Sequence, residues 1–123
     1  MRERDFQTQF GKWLKANRPQ SAAYELKVAK GKSFPFSAIQ DHQLQGLWHA
    51  KHSHLYMKLP DVGYQMPFDC FMLGKVEAYV VIRYEESGIW YAIDIDDFIA
   101  HKDSSDRKSL TEFMAQTMCS FSS

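Results

Sequence analysis

Apolar positions along the chain change period several times, and each change marks an element. In residues 3–16, Phe6, Phe10, Trp13 and Leu14 recur at helical spacing and form one stripe of an amphipathic helix. Asn17-Arg18-Pro19 ends it, because the residue before a proline is pushed out of the helical region. Residues 22–29 read as a strand. Leu26 and Val28 would point into a core, and Glu25 and Lys27 would emerge side by side on the other face. Lys30-Gly31-Lys32-Ser33 is a basic turn. Phe34-Pro35-Phe36 then leads to a second helix, with Ser37 as N-cap and Gln40 closing a capping box. That helix runs through Ile39, His42, Leu44 and Leu47 to about Ala50.

Four strands are expected next, over residues 55–59, 68–73, 78–84 and 89–95, with turns at 60–63, 74–75 and 85–88. The run 78–84 is the most strand-like and belongs at the centre of a sheet. Ser109 and Glu112 form a second capping box before a short apolar helix. The expected order is helix, strand, helix, four strands, short helix. It describes a mixed sheet flanked by helices in one α/β or α+β domain covering residues 1–123.

Composition narrows the class. With 45% apolar and 15% aromatic residues, the chain is neither disordered nor fibrous. Its apolar runs are too short for a membrane span, and Met1-Arg2-Glu3-Arg4-Asp5 does not open a secretory signal, so a cytoplasmic protein is expected. Cys70 and Cys119 are expected as free thiols, and without a CxxC pair a structural zinc site is not expected. The net charge is zero, yet residues 1–59 carry ten Lys or Arg against four acids, and the rest five against eleven. That asymmetry permits a basic face for a polyanion without requiring one.

Glu25 and Lys27 have two readings: a surface ion pair on an edge strand, or half of a metal-dependent hydrolytic site. Taken alone, such a triplet favours the ion pair. The apolar flanks and the basic turn that follows move the balance toward a site. Asp69 lies in Pro67-Phe68-Asp69-Cys70-Phe71, an acid among core-type residues, where a carboxylate without partners is costly. It is either an edge residue facing solvent, or it lies on a strand adjacent to that of Glu25 and the two share a divalent cation. Magnesium takes hard oxygen ligands, commonly one or two carboxylates plus water and phosphate oxygens. Lys27 would then orient or deprotonate the attacking water and offset phosphate charge.

Other clusters favour plainer readings. His49, His52 and His54 read as a polar helix end near the C-terminal dipole rather than a zinc site. Asp94, Asp96 and Asp97 lack the glycine and glutamate of a calcium loop, and Asp94 and Asp96 are expected on one strand face toward solvent. Phe6, Phe10, Trp13, Trp48 and Trp90 are expected in the core. Lys12, Lys15, Arg18, Lys30 and Lys32 are equally readable as phosphate contacts and as ordinary surface.

Glu25-Leu26-Lys27, the basic turn, Phe34-Pro35-Phe36 and a helix bearing His42-Gln43 together resemble the active-site segment of PD-(D/E)XK nucleases. The likeness is nearest to Holliday junction resolvases of the archaeal and RecU types and their phage relatives, and it covers roughly residues 3–115. The resemblance implies a restriction-endonuclease-like fold and a magnesium- or manganese-dependent endonuclease acting on branched DNA, as a homodimer. It implies Glu25 and Asp69 as metal ligands, Lys27 as the catalytic lysine, Gln43 beside the site, and Glu3 as a further acid, with Asp5 as fallback. The departure is order. Residues 17–24 hold no acid, so the metal-binding aspartate would sit on a strand relocated after the ExK strand and its helix, with Asp61 as a weaker candidate. The alternative is a non-catalytic nucleic-acid-binding or accessory protein on the same fold.

Overall fold

A computed structural model describes residues 1–18, 22–52, 55–58, 70–73 and 76–123. Helix α1 (Glu3–Asn17) is followed by β1 (Ala22–Ala29), β2 (Ser33–Pro35), a 3₁₀ turn (Phe36–Ala38) and α2 (Asp41–His52). Strands β3 (Leu55–Lys58), β4 (Cys70–Leu73), β5 (Glu77–Tyr84) and β6 (Ile89–Asp94) come next. The chain closes with α3 (Ile95–Ser104), β7 (Ser109–Thr111), α4 (Glu112–Met118) and β8 (Phe121–Ser122).

The main sheet has the order β1-β5-β6-β8, with β1 parallel to β5 and the other pairs antiparallel. Two further pairs, β2 with β7 and β3 with β4, form separate antiparallel ribbons. The expected mixed sheet flanked by helices is therefore present. Strand β5 is central, as its unbroken apolar run predicts: Ala78 to Ile82 are all buried.

Each face of the sheet carries its own core. On one side Tyr24, Leu26 and Val28 of β1 pack with Tyr79, Val81, Trp90 and Ala92 against Phe6 and Phe10 of α1. Phe10 meets Trp90 edge-on at 4.9 Å, and Trp13 stacks on Phe121 at 5.7 Å. On the other side Ala29, Val80, Ile82, Tyr91 and Ile93 pack with Leu44 and Leu47 of α2 and Phe98 of α3. Alternation along β1 thus puts Leu26 and Val28 into the α1 core, and Glu25 and Lys27 on the face that α2 covers.

Beyond the place of β4, which was expected beside β1 and pairs with β3 in a separate ribbon instead, four expectations change. The second helix starts later than Ser37, because residues 36–38 form a 3₁₀ turn and α2 begins at Asp41. The last helix is capped by Thr111, whose side chain accepts the Met114 N–H, while Ser109 lies in β7 paired with Pro35. Helix α3 was not expected, and it changes the acidic run: Asp94 is its N-cap, accepting the Asp96 N–H, and Asp96 and Asp97 are helical. Asp94 and Asp96 therefore do not share a strand face toward solvent. Trp48 is the fourth, 42% exposed rather than in the core.

Among the described residues, no helix is long and apolar enough to cross a membrane. Cys119 is a free thiol, as expected. Asp61 and His54, and the turns expected at 60–63 and 74–75, lie outside the described residues.

Candidate functional site

Strand β1 lies at the end of the main sheet, and its polar face meets the first turn of α2. Glu25 and Lys27 project there by period two, and both are largely enclosed, with side chains 27% and 15% exposed. Gln43 enters from α2 and donates from Nε2 to Glu25 Oε1 at 3.1 Å. Its other amide atom is also engaged, because Oε1 accepts the backbone N–H of Gln40 at 3.0 Å. Gln40 stands just before α2, so Gln43 closes the reciprocal half of a capping box at that helix end. The cap fixes the orientation of the amide: with its oxygen facing a donor, the NH₂ group must face the carboxylate.

Lys27 Nζ lies 3.6 Å from Glu25 Oε1 and 3.8 Å from Glu3 Oε1. Both distances exceed hydrogen-bonding range, so the ammonium is attracted by two carboxylates without donating to either. Glu3 comes from the first turn of α1. Residues 3, 25, 27 and 43, from three elements, are thus gathered at one place. An isolated surface ion pair would leave Glu25 and Lys27 exposed and Gln43 elsewhere.

Asp69 lies outside the described residues, as the residue before β4. Glu3 and Glu25 bring carboxylate oxygens to 3.8 Å and 3.6 Å from the Lys27 ammonium, and carboxylate oxygens are the hard donors that magnesium takes. Among the described residues, no group of three or more His, Cys, Asp or Glu side chains is gathered to hold a metal ion.

The expected phosphate contacts fall into different surroundings. Lys30 and Lys32 are exposed in the turn that leaves β1, three and five residues past Lys27. Lys12 and Lys15 are exposed on α1, but Lys12 lies half a turn around the helix from Glu3 and roughly 13 Å along it, away from the site. Arg18 is engaged elsewhere: its guanidinium lies 4.1 Å over the Phe121 ring and 3.6 Å from Glu77.

The histidine and aspartate runs meet in a second cluster that sequence reading missed. Lys51 Nζ donates to both oxygens of Asp94 at 2.8 Å and lies 2.7 Å from Asp96 Oδ2. His52 Nε2 lies 2.7 Å from Asp96 Oδ1, and the Trp48 ring packs 4.7 Å from His52. Hydrogen bonding to Asp94 and Asp96 raises the Lys51 ammonium above its ordinary range, and the Lys51 hydrogen bond holds the Asp96 carboxyl below its own. The cluster ties the last turn of α2 to the first turn of α3. A hint was available in the charge pattern, since Lys51-His52 ends one element where Asp94 and Asp96 begin another.

Comparison of the chain with family models, with characterised proteins and with solved structures gave no match.

Proposed function

We propose that this protein is a metal-dependent endonuclease of the PD-(D/E)XK kind, hydrolysing phosphodiester bonds in DNA and acting on branched, four-way-junction substrates. The observation that carries the reading is the convergence of Gln43 and Lys27 on Glu25, with Glu3 on the other side of the Lys27 ammonium. A carboxylate on a strand is steadied by a helix amide, beside an ammonium that makes no hydrogen bond to it. On this reading Glu25 and Asp69 supply oxygen ligands for magnesium or manganese. The bound ion contributes Lewis acidity and a more acidic coordinated water.

The chain's own groups do the rest. The Lys27 ammonium holds the attacking water and offsets charge on the scissile phosphate. Gln43 restricts rotation of Glu25, so that its oxygens are set before substrate arrives. Lys30 and Lys32 supply non-specific attraction to the DNA backbone. Symmetric cutting of a four-way junction requires two such sites, which a two-fold homodimer provides.

The second reading, a non-catalytic DNA-binding or accessory protein, is favoured by the zero net charge, since small DNA-cutting domains are commonly basic. One experiment separates the two. End-labelled four-way junction DNA and matched linear duplex are incubated with wild type and with Asp69→Asn, in magnesium, in manganese and in EDTA. The expected result is paired nicks near the junction in either metal, none in EDTA, and none from the variant. Nicking that persists in Asp69→Asn moves the second ligand to Asp61 or Glu3. Salt-sensitive binding with no cutting in either metal establishes the accessory reading instead.

A further inference from the structure

The end of α3, the connection that leaves it, β7 and the start of α4 surround a cavity of about 420 Å³, a size that suits a small molecule. Hydrogen bonds anchor the connection. The Ser105 N–H bonds to the His101 carbonyl at 2.9 Å and the Phe36 N–H to the Lys108 carbonyl at 3.0 Å, while Ser109 to Thr111 pair with β2. The cavity is therefore built into the fold rather than shaped by a free loop.

Its polar lining consists mainly of unused donors. The Ser105 hydroxyl oxygen accepts the Arg107 N–H at 3.1 Å, and the Thr111 hydroxyl oxygen accepts the Met114 N–H at 3.3 Å. In both, the hydroxyl hydrogen is left for an outside acceptor. The Ser109 hydroxyl, the His101 ring nitrogens and the Arg107 guanidinium make no hydrogen bond or ion pair among the described residues. An imidazole carries an N–H in either tautomer, and a guanidinium is always charged. Asp106 is the one acid in the lining, and it makes no ion pair with Arg107. Both charges are thus left for a ligand.

Phe113 and Met114 close the cavity with apolar surface. At 74% exposure, Phe113 is the most exposed large apolar side chain among the described residues. An aromatic ring beside a set of unused donors suits a ligand with a flat apolar face and an anionic group. Inorganic phosphate would leave the ring unused, and a purely apolar molecule would leave the donors unused.

We infer that this cavity binds a nucleoside phosphate. The phosphate accepts hydrogen bonds from Arg107, His101 and the hydroxyls, the base lies on the Phe113 ring, and Asp106 accepts from a sugar hydroxyl or a base amino group. The same unit can arrive as a free mononucleotide or as one residue of a single DNA strand. The site does not rest on the nuclease reading, because none of its residues belongs to the group around Glu25.

The test is an NMR titration of the isotope-labelled protein in EDTA. The probes are deoxyadenosine monophosphate, deoxyadenosine, inorganic phosphate and a short oligo-deoxyadenylate, against wild type, Arg107→Gln, Phe113→Ser and Phe113→Tyr. The monophosphate is expected to shift amides within residues 101–114. Arg107→Gln should weaken its binding about tenfold, the effect of losing a charge-assisted contact. Phe113→Ser should weaken it about fivefold or more by removing the stacking surface, and Phe113→Tyr should bind as wild type does. Inorganic phosphate should respond to Arg107→Gln and not to Phe113→Ser, and deoxyadenosine should do the reverse. An oligonucleotide that binds more tightly than the monophosphate, through the same amides, makes a DNA strand the ligand; equal affinity makes it the free nucleotide. No shift at millimolar monophosphate, shifts that map outside residues 101–114, or the same loss for phosphate and nucleoside in both variants overturns the site.

Discussion

At Gln43 a single amide serves a helix end and a carboxylate together, and the two duties can be separated by substitution. Gln43→Ala loses both bonds. It is expected to cost about 1 kcal/mol, the usual value of an N-terminal capping interaction, and to lower cleavage as Glu25 becomes free to rotate. Gln43→Glu keeps an acceptor for the Gln40 N–H, and glutamate suits that capping position. It also places a second carboxylate against Glu25, where an amide had donated. Its Tm should stay near that of wild type while its activity falls below that of Gln43→Ala. Urea unfolding and junction cleavage on the same preparations check this, and wild-type activity in both variants would mean that the Gln43–Glu25 contact does not matter. Lys27→Met should reduce cleavage by about 10²-fold or more, the range lost with a group that acts only in the transition state. Its stability should stay near wild type, because its ion pairs are long and lack hydrogen bonds.

Helix α2 is held at both ends, and this is a property of the element rather than of any one residue. Its first turn is fixed by the Gln40–Gln43 cap and by Glu25, and its last turn by Lys51 and His52 against Asp94 and Asp96. Next to that last turn the chain returns, where the Val76 N–H bonds to the Ala50 carbonyl at 3.1 Å and β5 begins. The second clamp has a pH signature. Asp96 has its carboxyl depressed below 3.8 in the folded protein, chiefly by the Lys51 hydrogen bond. The stabilisation this provides is complete above that value and is lost as pH falls through the lower folded pKa. Wild type should therefore lose Tm on acidification below about pH 4 more steeply than Asp96→Asn, while at neutral pH Asp96→Asn should melt lower. Because Asp96 is partly exposed, the neutral-pH difference should shrink in high salt. Thermal melts at several pH values and two salt concentrations test the clamp, and parallel curves for the two proteins would remove it.

For the molecule as a whole, stability comes from two apolar layers divided by one sheet. The α1 layer is built on aromatic rings, with Phe10 touching Phe6, Trp13, Tyr24 and Trp90. The opposite layer is mainly aliphatic, with Phe36 edge-on to Phe98 at 5.8 Å. Phe10→Ala should cost about 3–5 kcal/mol, the range for emptying a buried aromatic site. Phe113→Ser, at a side chain 74% exposed, should stay within about 0.5 kcal/mol of wild type. Urea midpoints of the two variants measure the contrast. A small loss from Phe10→Ala would mean that α1 is only loosely attached, and Glu3 could not then be held beside Lys27.

Features that depend on near neighbours were present in the sequence. The period of Phe6, Phe10, Trp13 and Leu14 defined α1 and its buried stripe, and alternation along residues 22–29 separated Leu26 and Val28 from Glu25 and Lys27. The apolar run of β5 placed it at the centre of the sheet. Such patterns are legible because helix and strand periodicity involve residues only a few positions apart. Helix α3 was missed because Asp94-Ile95-Asp96 fits a strand as well as a helix start, and only the Asp94 cap at the sheet's end chose between them. Tertiary structure alone decided the partners. Gln43 meets Glu25 across 18 residues and Lys51 meets Asp94 across 43, and both contacts depend on the packing of α2 over the sheet. Sequence supplied the donors and acceptors, but which of them come within hydrogen-bonding distance is settled by how whole elements bury their apolar faces.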